Sequence, residues 1–270
     1  MEINKQKITD LIEEFKQKRD SVTIKPENLT KFETVALGPE FLSYMNGKGG
    51  YYAKFLNFLI ARLRPATIVE LGNREAVSTV SIFDAIQSYQ AEFYTIDIEQ
   101  DQRFCPEHMY TDPKVHFLFG DVASYEIVKQ LPRKIDLLFS DTIHYNFQIQ
   151  DEFEIYQHLL ADKALVAIDD IHLNDKGVFF DAIKFDKWDL TELCHMSGWG
   201  LFLFERKQPI DVATQEQNLT RSIMKVWEKK YGKVYAELSK PTFSQKLKES
   251  IKKIGFIYKA KLAVGKILKK

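Results

Sequence analysis

Thr67-Ile68-Val69-Glu70-Leu71-Gly72-Asn73-Arg74-Glu75-Ala76-Val77-Ser78-Thr79 is the stretch that decides the fold. Its first five residues form a short apolar run of strand length, broken only by Glu70, and Gly72 then lets the backbone turn sharply. From 76 to 89 the apolar residues recur at helical spacing. The same alternation repeats down the chain. Short apolar runs stand at 93–98 (FYTIDI), 115–120 (VHFLFG), 135–141 (IDLLFSD) and 164–170 (ALVAIDD), with helical spacing at 123–131 and 146–160 between them. Continuous apolar runs suit strands buried on both faces. Strands alternating with helices imply an α/β fold, a doubly wound and mostly parallel sheet with helices on both sides. Two later runs, Glu192 to Met196 and Gly200 to Glu205, are separated by Ser-Gly-Trp and suit an antiparallel edge hairpin, which makes about seven strands.

Around this body, Ile8, Leu11, Ile12 and Phe15 predict an amphipathic helix over 5–18, and a second helical pattern runs from Tyr51 to Leu63. Three parts follow: an N-terminal helical cap (1–64), the α/β domain (65–208) and C-terminal helices with a basic tail (209–270).

Apolar residues make up 45% of the 270 and charged residues 28%, the balance of a globular protein and not of a disordered one. The zero net charge hides an asymmetry: residues 241–270 hold nine Lys and one Glu, which leaves 1–240 at −8. An acidic body argues against nucleic-acid binding, which needs clustered Lys and Arg. Two cysteines, Cys105 and Cys194, make no disulfide framework and fit a reducing compartment. Acids and amides interrupt the N-terminal apolar run before a signal-peptide core forms, and no run approaches the ~20 apolar residues of a spanning helix. A cytoplasmic location is the expectation.

In doubly wound sheets, ligands bind beyond the carboxyl ends of the strands. The first strand ends in Glu70-Leu71-Gly72-Asn73, with Ser78 in the helix whose N-terminal amides face the ligand. The second ends in Asp97, where an acid can grip the two hydroxyls of a ribose, and the third in Gly120-Asp121, placed to bond an adenine amino group. No Gly-x-Gly-x-x-Gly follows the first strand, which argues against a dinucleotide. In this order, Glu-Leu-Gly, the strand-ending Asp97, Gly120-Asp121 and Ile135-Asp136-Leu137-Leu138-Phe139-Ser140-Asp141 resemble the motifs of class I S-adenosylmethionine-dependent methyltransferases, over roughly 66–205. The resemblance is closest to the bacterial subgroup of metal-dependent sugar and macrolide O-methyltransferases and the cephalosporin hydroxylase relatives, and more distant to catechol O-methyltransferase. It implies a Rossmann-like fold and S-adenosylmethionine held by Glu70, Gly72, Asn73, Ser78, Asp97, Gly120 and Asp121. Ala76 stands where those families usually have a second Gly.

The fourth strand ends at Asp141 and the fifth at Asp169-Asp170. Three acids on one sheet edge repel one another unless a cation joins them, and carboxylates suit Mg²⁺, or Ca²⁺ or Mn²⁺. The resemblance implies these three as metal ligands and His144, three residues after Asp141, as the general base that takes a proton from an attacking hydroxyl. His172 is the rival base. His195 falls on the expected edge strand, to pack there or line a substrate rim; Tyr145, Trp188 and Trp199 could stack on an acceptor or serve the core.

The expected activity is a metal-assisted O-methyltransferase acting on a hydroxyl of a sugar, glycan or secondary metabolite. Alternatives are a hydroxylase-like or other non-methylating enzyme on this scaffold, or a non-catalytic cofactor-binding protein. Within 241–270, Phe243, Leu247, Ile251, Ile254, Tyr258 and Leu262 alternate with Lys248, Lys252, Lys259 and Lys266. This basic amphipathic pattern implies either peripheral association with an anionic membrane or a helix docked on the body. A homo-oligomer is compatible with all of these readings.

Overall fold

The computed structural model describes residues 2–25, 27–29, 51–74, 76–99 and 105–238, with side chains through 232. The expected basic tail lies outside the described residues. Two units are distinguished, 1–223 and 224–270.

In the first unit, seven strands form one sheet: β1 (Thr67–Leu71), β2 (Glu92–Asp97), β3 (Val115–Phe119), β4 (Ile135–Ser140), β5 (Leu160–Asp169), β6 (Asp186–Asp189) and β7 (Trp199–Glu205). Their order is β3-β2-β1-β4-β5-β7-β6. The first five are parallel to one another, while β7 runs antiparallel to both β5 and β6. Strand order therefore reverses between β1 and β4, the switch point where such sheets open a crevice for ligands. The fold is the Rossmann-like one that the alternating runs imply.

The helices are α1 (Lys5–Lys18), α2 (Tyr51–Leu63), α3 (Val77–Ile86), α4 (Tyr125–Val128), α5 (Asn146–Tyr156), α6 (Gly177–Ala182) and α7 (Val212–Leu238), the last running from the first unit into the second. The side chain of Asn4 caps α1 by accepting from the Lys7 amide at 2.9 Å. Phe15 of α1 meets Phe55 and Phe58 of α2 at ring separations of 5.1 and 5.4 Å, and Phe55 stands edge-on to Trp199 of β7. The described N-terminal helices thus share one core with the sheet. Leu201 and Leu203 of β7 face that core, while Phe202 meets Phe153 of α5 on the opposite face, the alternation that a pleated strand imposes. In the second unit the rings of Trp227 and Tyr231 pack at 4.7 Å.

One expected strand is corrected. The partner of β7 at the edge is Asp186–Asp189, and Glu192 to Met196 lie in the turn between β6 and β7. Leu193 and Cys194 are both buried although adjacent, which an edge strand with alternating faces would not allow. The true edge strand leaves no apolar trace because it is charged: Asp186 and Asp189 blunt an open edge and break the apolar signal. Helix α6 also went unpredicted, six residues being too few for a helical period to show.

Candidate active site

The turn after β1 is built by backbone hydrogen bonds. Gly72 adopts φ +83°, and a Cβ there would lie 2.2 Å from the carbonyl oxygen of Asp141. Only glycine lets the β1 turn approach the end of β4 this closely. The Gly72 amide donates to the Ile96 carbonyl at 2.8 Å, and the amides of Asn73 and Arg74 both donate to Asp97 Oδ2, at 2.8 and 3.1 Å. Asp97 Oδ1 accepts from the Glu99 amide at 2.9 Å. Asp97 therefore shapes the loop as well as facing the crevice, and its less committed oxygen, Oδ1, is the one open to a further donor. Asn73 is buried, with its side-chain amide donating to Thr95 Oγ1 at 2.8 Å.

Ala76 closes the turn at φ 58°, a left-handed conformation, and is almost fully buried. Positive φ at this corner explains why a second glycine is the usual occupant, since a Cβ is strained there.

Glu70 lies wholly inside the protein, beneath the loop. Its Oε2 accepts from Thr79 Oγ1 at 2.8 Å and Thr95 Oγ1 at 2.6 Å, while Oε1 is buried with no hydrogen-bond partner among the described residues. Burial pushes its carboxyl up to about 7, against the opposing pull of the Ser78, Thr95 and Thr79 hydroxyls. Glu70 thus ties β1 to Thr79 of α3 and Thr95 of β2 from within, and the Ser78 side chain is buried as well. At the end of β3, the Gly120 amide donates to the Asp97 carbonyl at 2.8 Å, and Asp121 Oδ1 accepts from the Ala123 amide at 2.9 Å.

Beyond β4 and β5 lies a second cluster. His144 Nε2 is 3.1 Å from Asp170 Oδ2 and 3.8 Å from Asp141 Oδ1. His195 Nε2 is 2.8 Å from Asp169 Oδ1. Asp170 takes φ 55°, left-handed for a non-glycine residue, a strain that interrupts strand alternation directly after Asp169. The donor atoms fall into two overlapping sets, Asp141–His144–Asp170 and Asp169–Asp170–His195, each with its atoms within 4.8 Å of one another. Asp141 and Asp169, expected together, thus belong to different sets that meet at Asp170.

Electrostatics agree with this crowding. Burial, then the Asp141 carboxylate, pushes the Asp169 carboxyl up, and the same two causes raise Asp170. Asp141, with Asp170, holds the His144 imidazolium above its usual range despite burial. For His195, burial opposes the charge, but Asp169, Asp170 and Asp141 outweigh it. Within each set the carboxylate oxygens and the imidazole lie close enough to hold one ion, and the oxygen donors suit a hard divalent cation such as Mg²⁺ or Mn²⁺. Nearby, Lys176 is completely buried, its Nζ without a hydrogen-bond partner among the described residues, and its charge acts on Glu152, Asp170 and His144.

His172 is not part of this cluster. Its Nε2 lies 2.9 Å from Thr191 Oγ1 and 3.5 Å from Asp189. Trp199 is a core residue, and Trp188 bonds Thr9 while packing on the same core. Tyr145 is 46% exposed beside His144, stacked on the equally exposed Phe147 at 5.8 Å. His195, expected on an edge strand to pack there or line a substrate rim, lies instead in the turn before β7 and reaches Asp169. Its turn follows a different strand from those carrying the acids, and the one usable signal was the adjacent apolar pair Leu193-Cys194, which argues against a strand.

Residues 69–171, from β1 to the turn after Asp170, match the family described as methyltransferase domain. The match covers most of β1 and all of β2 to β5, the parallel part of the sheet. The chain is 26% identical over 132 residues to the O-methyltransferase hkm8 of Aspergillus hancockii, covering 47% of this chain and 48% of that protein. It spans about half the length of that curated relative. Among solved structures, the domain resembles the S-adenosylhomocysteine-bound methyltransferase PaMTH1 of Podospora anserina, with TM-score 0.53 and 13% identity over 77% of this chain and 99% of that one. It also resembles the O-methyltransferase TomG of Streptomyces achromogenes, in complex with SAM, with TM-score 0.51 and 16% identity over 68% and 92%. These likenesses show the methyltransferase fold. No helix of the described residues is long and apolar enough to cross a membrane.

Proposed function

We propose that this protein is an S-adenosylmethionine-dependent, divalent-cation-assisted O-methyltransferase acting on a hydroxyl of a sugar, glycan or secondary metabolite. The observation that carries the reading is the meeting of His144 with Asp141 and Asp170 beside the switch point, a few ångströms from the Gly72 turn. S-adenosylmethionine, when bound, supplies an electrophilic methyl group; Asp97 Oδ1, the Gly72 turn and Asp121 are the groups that would hold it. A divalent cation, when bound by Asp141, Asp169 and Asp170, makes a nearby hydroxyl easier to deprotonate. His144 receives the acceptor's proton as its oxygen attacks, and the Asp170 carboxylate, 3.1 Å from Nε2, stabilises the imidazolium that forms. Ile143, Tyr145 and Phe147 give the mouth of the site an exposed apolar rim against which an acceptor can lie.

Calorimetry with S-adenosylhomocysteine tests the donor half, and S-adenosylhomocysteine release across a panel of hydroxylated acceptors, with and without chelator, tests the rest. Full turnover in excess chelator would remove the cation from the mechanism. No binding of S-adenosylhomocysteine would remove methyl transfer itself.

A further inference from the structure

His195 comes from the turn between β6 and β7 and not from the strand ends that carry the other groups of the proposed reaction. The turn that bears it is zipped to the chain just beyond the acids: the Ile171 amide donates to the Gly198 carbonyl at 3.3 Å, His172 N to Ser197 O at 2.8 Å, and Gly198 N back to His195 O at 3.1 Å. Gly198, at φ +96°, permits that closeness, since a Cβ there would lie 2.7 Å from atoms of both Ile171 and His172. Asp169 and Trp199 are register partners across β5 and β7, which fixes the end of the turn beside Asp169. Leu193 and Cys194 anchor it in the core. From α2, the Tyr52 ring stands edge-on to the imidazole at 5.2 Å and 80°. The imidazole is thus aimed from two sides, and its Nε2 meets Asp169 Oδ1 at 2.8 Å with both side chains largely buried.

We propose that His195 is a positioning residue: by bonding Oδ1 it fixes the rotation of the Asp169 carboxylate and leaves Oδ2 to face the cation position shared with Asp170. A buried carboxylate with one oxygen engaged cannot turn both oxygens away from that position. Outer partners of this kind orient metal ligands, and their loss typically lowers metal affinity by 10–100-fold. The proposal rests on the reading of Asp141, Asp169 and Asp170 as ligands. It adds a residue from a different part of the chain, delivered by the antiparallel strand.

The test measures Mn²⁺ binding to the full chain by electron paramagnetic resonance and calorimetry, independent of turnover. His195→Phe keeps a ring against Tyr52 and removes the nitrogen; Mn²⁺ affinity should fall about 10- to 100-fold. His195→Gln places an amide donor at similar reach and should recover most of that loss, a rescue that a merely space-filling role would not show. Melting temperature reports whether each variant is folded. Should His195→Phe fail to fold, His195→Ala, which only vacates the position, takes its place in the same comparison. Equal Mn²⁺ affinity in folded wild type and either nitrogen-free variant overturns the positioning role while leaving the ligand reading intact. A spin-echo signal from a directly bound imidazole nitrogen that vanishes with His195 overturns it too, by making His195 a ligand. If wild type takes no Mn²⁺, while Asp170→Asn behaves identically, the ligand reading itself fails, and this inference with it.

Discussion

Replacing Glu70 by Gln should change how the stability of this protein depends on pH. Glu70 is fully buried, accepts two threonine hydroxyls through Oε2 and leaves Oε1 with no partner among the described residues. Burial raises its carboxyl from about 4.5 to about 7. A raised acid binds its proton more tightly in the native state than in the unfolded one. Its contribution is therefore fully present below pH 4.5 and is lost as pH rises through 7. At about 1.4 kcal/mol per unit, the whole span is worth about 3 kcal/mol, of which about 2.5 kcal/mol falls between pH 5 and pH 8. Gln cannot ionise, and its carbonyl can still accept from Thr79 and Thr95. Urea unfolding of both proteins at the two pH values should show the variant gaining about 2.5 kcal/mol on wild type from pH 5 to pH 8, a midpoint shift of roughly 1 M. The other raised acids, among them Glu152 and Asp169, occur in both proteins and cancel in this difference. A stability gap that stays constant within about 0.5 kcal/mol across the two pH values would refute the reasoning, because Glu70 would then titrate alike folded and unfolded.

Gly72→Ala places a Cβ against the Asp141 carbonyl at positive φ and should cost at least ~2 kcal/mol in thermal or urea unfolding. Ala76→Gly relieves a left-handed alanine at φ 58°, so the same measurement should show a gain of up to about 1 kcal/mol; a clear loss would contradict the strain. Asp97→Ala removes a charged acceptor from both loop and ligand, and calorimetry should record at least a ~10-fold weaker affinity for S-adenosylhomocysteine. His144→Ala should lower methyl transfer by about 10²- to 10⁴-fold with little change in that affinity. His172→Ala, bonded to Thr191 and away from the acids, should change the rate far less, and the reverse ranking would exchange the two roles.

Much of the fold was legible because a parallel sheet buried on both faces leaves an unmistakable sequence trace. Each of β1 to β5 contains a short apolar run with a polar residue at its end or within two residues of it, and the helices over 5–18 and 51–63 have periods long enough to read. The acids and His144 were legible for the same reason: topology delivers strand ends to one edge whatever the details of packing. The edge of the sheet was not. The strand Asp186–Asp189 is charged because it borders solvent, and the apolar pair Leu193-Cys194 belongs to a turn whose direction is set by Gly198 and by bonds to residues 171 and 172. Tertiary structure alone decided that Glu70 and Ser78 face inward, that Asp97 spends one oxygen on the Asn73 and Arg74 amides, and that His195 reaches Asp169 across 26 residues of sequence. Local pattern records which face of an element is buried, since burial repeats with the element's own period. Which oxygen of a carboxylate meets which donor depends on contacts between segments far apart in the chain, and no period in the sequence carries that information.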